Sequence, residues 1–179
     1  NVSDRYDFDS VRIGIQPFSS DFRGFLFQDS QLGIRFFGDR DNNIFQYNLA
    51  WFRRLEKDTN SLLNHIERKV RDDDIFIANL YWQDFPVLGF QSQVTGVYNR
   101  NNEAGDFFFN DNEFIERPAS FGSERGRNYD VVYLGYNGDG HFDRLNLTTS
   151  FYTALGSNRD SAFTDETADI QAFFFAAEP

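Results

Sequence analysis

The sequence of 179 residues contains no cysteine and no methionine, and only four prolines and two histidines. The absence of cysteine excludes a disulfide framework, thiol chemistry and cysteine-ligated zinc. No stretch approaches the roughly 20 apolar residues that a membrane-spanning helix needs, and the mean hydropathy is −0.56. Because methionine is absent, the sequence has no initiator residue, and we expect a processed or partial chain.

Positive charge is also scarce. The 17 lysines and arginines stand against 28 aspartates and glutamates, which gives a net charge of −11. A nucleic-acid-binding surface needs basic residues that displace counterions from phosphates. The composition therefore excludes nucleic acid as a predicted partner.

Aromatic residues are abundant, with 23 Phe, 8 Tyr and 2 Trp making up 18% of the chain. On so polar a background, this content favours an apolar band with aromatic girdles at the two water interfaces of a membrane. A transmembrane β-barrel passes unnoticed in a hydropathy scan because its lipid-facing residues alternate with polar ones.

The stretch 145–155 shows such an alternation. Its odd positions are apolar or Thr (Leu145, Leu147, Thr149, Phe151, Thr153, Leu155), and its even positions are mostly polar. A period of two predicts a strand with two unlike faces. Its length matches the ~9–11 residues with which a tilted strand crosses a bilayer.

Eight strand-like runs occur along the chain: 11–17, 31–37, 44–55, 75–84, 88–98, 129–136, 145–155 and 169–178. The connections between them alternate between long, mostly acidic segments and short turns. In an up-and-down membrane barrel, the short turns lie at the periplasm and the longer loops outside. We therefore predict an all-β, antiparallel up-and-down transmembrane β-barrel, with residues 1–179 forming a single domain, or a segment of a larger barrel, without an internal boundary.

The sequence Asn137-Gly138-Asp139-Gly140 has two interpretations. As a calcium loop with Gly140 at its sixth position, it would have Gly135 and Asn146 at the first and twelfth positions, where strong oxygen ligands are needed. As a hairpin turn, it supplies residues that accept positive φ angles. The sequence favours the turn.

The alternation assigns residues to two faces. If the apolar face contacts lipid, the candidate lipid-facing residues are Leu32, Ile34, Phe36, Phe45, Tyr47, Leu49, Trp51, Leu145, Leu147, Phe151 and Leu155. The candidate lumen-lining residues are then Arg12, Gln16, Gln31, Arg35, Gln46, Asn48, Asn79, Gln83, Gln91, Gln93, Arg144 and Asn146. This lining suits a watery pore or a hydrogen-bonded filling of side chains.

The sequence gives little indication of a catalytic or metal-binding site. His65 and His141 lack a neighbouring nucleophile or carboxylate at a spacing typical of catalysis, so no enzyme activity and no catalytic residues are predicted. No cofactor is predicted, with Ca²⁺ in the acidic loops as the alternative. The candidate oxygen ligands are Asp39, Asp41 and Asn42; Asp72, Asp73 and Asp74; and Asp106, Asp111 and Glu113.

Two connections carry patterns of their own. Leu62, Leu63, Ile66 and Val70 have helical spacing, which predicts a short surface helix in the third connection. The segment 105–120 is interpreted as a strand extension that projects beyond the membrane.

The stretches "RGFLFQDSQLGIRFFGDRDNNIFQYNLAWFRRLEKDTNS", "YLGYNGDGHFDRLNLTTSFYTALG" and "DIQAFFFAAEP" resemble bacterial outer-membrane β-barrel proteins of the porin-like or TonB-dependent-receptor-like kind. The resemblance lies in the alternation of apolar and polar residues along the strands and in the residue types of the turns, and it brings no catalytic motif. It implies location in the outer membrane of a Gram-negative bacterium and transport as the usual activity. It also implies longer relatives, so we expect a segment of a larger barrel.

Three functions stay open. The favoured one is a channel or receptor for small solutes, whose partners are the lipid bilayer and other barrel segments or subunits. The second is a non-transport anchor or adhesion barrel whose loops bind a partner. The third is a soluble lipocalin-like barrel, in which the apolar face would be internal.

Overall fold

The computed structural model describes residues 7–58, 61, 63–65, 70–105, 109, 112–114, 127–142, 144–159 and 166–179. Within them lie eight strands: β1 (Asp9–Ser19), β2 (Gln28–Arg40), β3 (Phe45–Leu55), β4 (Val70–Gln83), β5 (Phe90–Asn102), β6 (Asn128–Phe142), β7 (Leu145–Asn158) and β8 (Ala168–Glu178). The described part of the chain contains no helix long and apolar enough to cross a membrane.

The eight strands form one sheet in which each strand pairs antiparallel with its neighbours in sequence, in the order β1 to β8. This confirms the prediction of eight antiparallel up-and-down strands. Among the described residues, β1 pairs only with β2 and β8 only with β7, so the sheet is open. The closed barrel and its place in a membrane therefore stay predictions.

The connections alternate in length. Residues 20–27, 56–69, 103–127 and 159–167 join strands at one end of the sheet, which we call the long-connection end. Residues 41–44, 84–89 and 143–144 join them at the other, the short-turn end. One residue of the surface helix predicted in the third connection, Val70, belongs to strand β4 instead. Leu62 and Ile66 of that predicted helix lie outside the described residues, as does most of segment 105–120.

The predicted turn at Asn137–Gly140 is wrong. All four residues lie inside β6 and pair with β7, and the hairpin closes later, between Phe142 and Leu145. The two glycines make room for an aromatic ring instead. A Cβ at Gly138 would lie 2.5 Å from Cζ of Phe90, and one at Gly140 would lie 2.7 Å from the Cα of that residue.

The sheet curls around the connection between β1 and β2. In a flat sheet β2 and β8 would be about 29 Å apart, at ~4.8 Å for each strand step. Phe25 is three residues from β2, which is about 10 Å of extended chain, yet its ring stacks on Phe174 of β8 at 5.0 Å. We call the face that encloses this connection the inner face, and the opposite one the outer face.

The inner face holds the apolar core. Phe52 is fully buried there and contacts Phe18 and Phe27, with ring centroids 5.3 and 5.5 Å away. Ile75 and Ile77 of β4 join the same cluster. Their inward direction explains why the start of the fourth run is apolar on both faces: Phe76, between them, points outward and is 44% exposed.

Candidate functional site: the two faces of the sheet

The structure separates the two predicted residue sets. Strand register puts all eleven candidate lipid-facing residues on the outer face. It puts eleven of the twelve candidate lumen-lining residues on the inner face, with Asn146 at its edge opposite His141. Arg144 is the exception, since it lies outside the strands in the β6–β7 hairpin. What each face contacts stays a prediction.

Polar side chains cover the short-turn half of the inner face in rows that cross the strands. One row runs through Gln83, Gln91, Asp139, Thr148 and Glu178, each directly opposite the next. Directly paired residues on one face of an antiparallel sheet have Cβ atoms about 4.5–5.5 Å apart. The rows therefore form a regular array of amide, hydroxyl and carboxylate groups.

A second row begins at Tyr81 and continues through Gln93, Asn137 and Ser150. Gln93, Asn137 and Ser150 are buried, and the first two bond to each other and to their surroundings. The Asn137 amide donates to Gln93 Oε1 at 3.5 Å and accepts the Tyr152 hydroxyl at 2.7 Å. Strand backbones and these bonds fix the positions of the amides.

The β1–β2 connection, segment 20–27, folds over this array, and Asp21 holds it together. The Asp21 carboxylate is buried and accepts bonds from three backbone N–H groups: Arg23 and Phe25 to Oδ1, at 3.0 and 2.9 Å, and Leu26 to Oδ2 at 3.0 Å. The Ser20 hydroxyl donates to Oδ2 as well, at 2.9 Å. One side chain thus pairs three of the backbone N–H groups of the segment, and buried N–H groups need such partners.

Segment 20–27 is attached to strands at the opposite side of the sheet. Gln93 Nε2 and Thr95 Oγ1 of β5 donate to the Ser20 carbonyl at 2.9 and 3.1 Å. The Phe25 ring stacks on Tyr152 of β7 at 5.0 Å. These contacts keep the segment inside the curl of the sheet.

Arg23 extends from the segment to the end of β8, where its guanidinium donates two bonds to the Glu178 carboxylate at 2.9 and 2.8 Å. The carboxylate raises the pKa of Arg23 above its ordinary value. Both side chains are largely exposed, so the pair orients the segment more than it stabilises it.

The long-connection half of the inner face carries buried charge. Arg71 donates two bonds to Glu103, at 2.9 and 2.7 Å, and the Asn101 amide donates to the same carboxylate at 2.8 Å. Next to them, Asp73 is fully buried and lies within 3.5 Å of the Arg54 and Arg71 guanidinium groups. Pairing of this kind compensates for the cost of removing the charges from water.

The acidic clusters suggested as calcium ligands are engaged otherwise where they are described. Asp72 and Asp74 pair with Arg53 at 2.7 and 3.3 Å, and the Asp39 carboxylate accepts the backbone N–H of Phe8. Within the described residues, no group of three or more His, Cys, Asp or Glu side chains is arranged to hold a metal ion. Asp106 and Asp111 lie outside those residues.

The histidines take part in local contacts. His141 Nδ1 lies 2.6 Å from Asn146 Oδ1 across the β6–β7 hairpin, and the backbone N–H of His65 donates to the Glu56 carbonyl at 2.7 Å. Neither contact involves a serine, threonine or cysteine nucleophile.

The outer face is apolar on all eight strands. Ile13 on β1, Leu49 on β3, Leu134 on β6 and Phe173 on β8 are 73%, 52%, 52% and 81% exposed. A groove of about 680 Å³ crosses this face where Ala78 and Gly96 leave its surface low, next to the ring of Trp51. Contiguous apolar patches beyond a few hundred Å² are rare on soluble monomers and mark an interaction with a membrane, a ligand or another protein.

Aromatic residues with polar tips border the apolar band at the long-connection end. Trp51 Nε1 donates to Asp74 Oδ1 at 2.9 Å, and the Tyr98 hydroxyl donates to Asp130 Oδ1 at 2.9 Å. Their rings belong to one row, since Phe76 stacks between them. The row therefore consists of apolar rings with carboxylate acceptors on the side of the long connections.

The short-turn end has a comparable border. Phe45 packs on Trp82 at 5.1 Å, and Trp82 stacks on Phe85 at 3.9 Å. The Tyr136 hydroxyl lies 3.0 Å from Ser92 Oγ. The apolar band is therefore bounded by aromatic residues at both ends.

Sequence reasoning missed the inward fold of segment 20–27, which it treated as an ordinary connection. A signal was present in "SSDFRGF": Ser and Asp before a glycine are turn formers whose side chains bond to nearby backbone, and Gly24 has the positive φ of such a turn, 64°. The aromatic residues after Asp21 are unusual in a solvated loop and here contact the inner face.

Comparison of the chain with family models, with curated proteins and with solved structures finds no match. The two-faced sheet and its enclosed segment are therefore the basis for inferring function.

Proposed function

We propose that this chain forms the wall, or part of the wall, of a membrane-spanning β-barrel in a bacterial outer membrane, and that small polar solutes pass along its inner face. The observation that carries the proposal is an exposed apolar outer face on every strand, opposite an inner face rich in amides and hydroxyls. The strands have 11 to 15 residues, enough for a tilted crossing of the bilayer.

Energetics supports a lipid environment for the outer face. Leaving a large aliphatic or aromatic side chain in water forfeits roughly 1.5–3 kcal/mol relative to burying it. Here such residues extend over eight strands, about 34 Å of sheet at the usual strand spacing. A bilayer covers so wide a band without a specific partner, and it accounts for the tryptophan and tyrosine residues at the two borders.

The open edges and segment 20–27 favour a barrel with more than eight strands. In lipid, the unpaired backbone groups of β1 and β8 would each cost several kcal/mol, so the proposal includes pairing of both edges with further strands, from other barrel segments or subunits. Closing eight strands alone leaves an interior just wide enough for side chains. Segment 20–27, with the stacked rings of Phe25 and Tyr152, needs more room.

The second candidate is an anchor whose interior conducts nothing and whose long connections bind a partner. It is favoured by the filling of the long-connection half of the inner face, where the Phe52 cluster and the Arg71–Glu103 pair occupy the space. A soluble lipocalin-like barrel is disfavoured, because its apolar residues would line the interior, whereas here the exposed face is the apolar one.

Vesicle experiments test the proposal. The purified chain is reconstituted into phospholipid vesicles, association is checked by flotation, and swelling is followed in isotonic solutions of neutral solutes of increasing size. We expect flotation with the lipid, and swelling that slows as solutes grow. Flotation without swelling would favour the anchor. A chain that stays monomeric without detergent and does not float would contradict the membrane proposal.

A further inference from the structure

A polar cavity of about 330 Å³ lies on the inner face at the short-turn end, between segment 20–27 and strands β5 to β7. Phe22 and Arg23 border it on one side, and Gln91, Asn137 and Thr148 are among the residues on the other. None of these side chains has a role in the apolar core. The cavity is open enough to admit a small ligand from the inner face.

The strand side of the cavity is a fixed hydrogen-bonding surface. Gln91, Asp139 and Thr148 come from adjacent strands and lie directly opposite one another. Asn137 and Ser150 belong to the neighbouring row, two residues further along the strands, or about 7 Å. Polar groups at these spacings can contact several hydroxyls of one ligand at the same time.

The cation at the cavity is already paired, because the Arg23 guanidinium donates two bonds to the Glu178 carboxylate. The Asp139 carboxylate keeps its negative charge, and its Oδ1 accepts the Thr148 hydroxyl at 2.7 Å. The Gln91 amide, by contrast, has no hydrogen-bond partner among the described residues, so its donor and acceptor are both available. The cavity therefore offers neutral hydrogen bonds and has no spare cation with which to bind an anion.

An aromatic ring forms the opposite wall. Phe22 is 39% exposed, its ring lies against Tyr81 with centroids 5.7 Å apart, and its backbone N–H donates to Gln93 Oε1 at 3.2 Å. The ring is thus held in place beside the amides. A saccharide has the matching chemistry, because its faces carry C–H groups and its edges carry hydroxyls that donate and accept.

We propose that this cavity binds a neutral saccharide unit, with Phe22 against a face of the sugar and Gln91, Asn137 and Thr148 bonded to its hydroxyls. The inference rests on the proposed function, since it names saccharides as a class of solute that passes the inner face. An apolar ligand would leave the amides without partners, and a sugar acid would be repelled by the Asp139 carboxylate.

Calorimetric titration of the purified full chain in detergent micelles tests the site, with maltose as the neutral probe, glucuronate as the anionic probe and glucosamine as the cationic probe. We expect saturable binding of maltose, and weaker binding of glucuronate. Gln91→Leu should lower the maltose affinity about fivefold to tenfold, the effect of losing one hydrogen bond, and Phe22→Ala should lower it at least as much. The control is Gln171→Leu, at an exposed position on the outer face of β8, which should leave the affinity unchanged.

A second measurement needs no variant. Maltose should slow hydrogen exchange at the backbone amides of Phe22 and Arg23 in the unaltered chain. Absence of saturable maltose binding, equal effects of Gln91→Leu and Gln171→Leu, or tighter binding of either charged probe would overturn the site.

Vesicle swelling on the same preparation separates this inference from the proposed function. Swelling in maltose without saturable binding would overturn the saccharide site but still support the passage of solutes along the inner face. Saturable binding that Gln91→Leu weakens, without swelling, would support the site and overturn the passage of solutes.

Discussion

Replacing Asp21 by alanine is expected to release segment 20–27 from the inner face. The substitution removes the acceptor of three backbone N–H groups and of the Ser20 hydroxyl. Hydrogen bonds to a charged acceptor contribute roughly 1.5–3 kcal/mol each. Their sum is an upper bound, because water satisfies the donors once the segment detaches.

The segment keeps other attachments after the substitution, notably the bonds of Gln93 and Thr95 to the Ser20 carbonyl. We therefore expect local opening while the sheet stays folded. A loss of about 3 kcal/mol in local stability corresponds to a drop of about 100-fold in amide protection. Asp21→Asn keeps the Oδ1 acceptor for Arg23 and Phe25 but not the acceptor for Leu26, so its effect should be intermediate.

Hydrogen exchange of a peptide covering 20–27 measures the release of the segment. Conductance in planar bilayers measures the widening of the space on the inner face that the segment occupied. Protection should fall in the order wild type, Asp21→Asn, Asp21→Ala, and conductance should rise in the same order. Asp84→Ala is the control, because Asp84 also accepts a backbone N–H, that of Gly89, but in a turn at the short-turn end. Unchanged protection of 20–27 in Asp21→Ala would refute the role given to this carboxylate.

Three further predictions concern the sheet and its interior, each measured by denaturant unfolding of the reconstituted chain. Phe52→Ala should lower the free energy of unfolding by about 3–5 kcal/mol, because the ring is fully buried; a loss below about 1 kcal/mol would contradict the packing. Gly138→Ala should cost about 1–3 kcal/mol by displacing Phe90, whereas Gly96→Ala, whose Cβ would meet its nearest neighbour at 3.9 Å, should be neutral; equal effects would refute the close approach. Glu103→Ala should cost about 3–5 kcal/mol, because Arg71 loses a buried partner, and Glu103→Gln should cost less; a neutral Glu103→Ala would show that the pair is solvated.

Most of the fold could be predicted from the alternation of apolar and polar residues along the strands. Leu145 to Leu155 could be assigned to faces because a strand has a strict period of two, and the register agrees at each position. The strand ends were less predictable. The structure extends β5 to Asn102 and β4 back to Val70, through polar residues whose bonds to distant strands no local pattern reveals.

The glycines of β6 show why a local signal can mislead. Gly138 and Gly140 read as turn residues because glycine accepts positive φ, but neither has one here. Their function depends on Phe90, nearly 50 residues earlier, whose ring occupies the space that a side chain would fill. Segment 20–27 is similar, since its inward fold depends on Gln93 and Tyr152, which become its neighbours only when the sheet curls.

Substitution of Leu49 by arginine tests most directly the claim that the outer face contacts lipid. Leu49 lies on β3 between Tyr47 and Trp51 on that face and is 52% exposed. In a bilayer, arginine near the midplane of a barrel's lipid face costs about 2–4 kcal/mol, and near the interface about 0–1 kcal/mol. Leu88→Arg, in the turn 84–89 and 84% exposed, is the matched control. In equilibrium unfolding from phospholipid vesicles, we predict a loss of about 2–4 kcal/mol for Leu49→Arg and at most about 1 kcal/mol for Leu88→Arg; a loss within about 0.5 kcal/mol for Leu49→Arg, as at a water-exposed surface, would contradict the account.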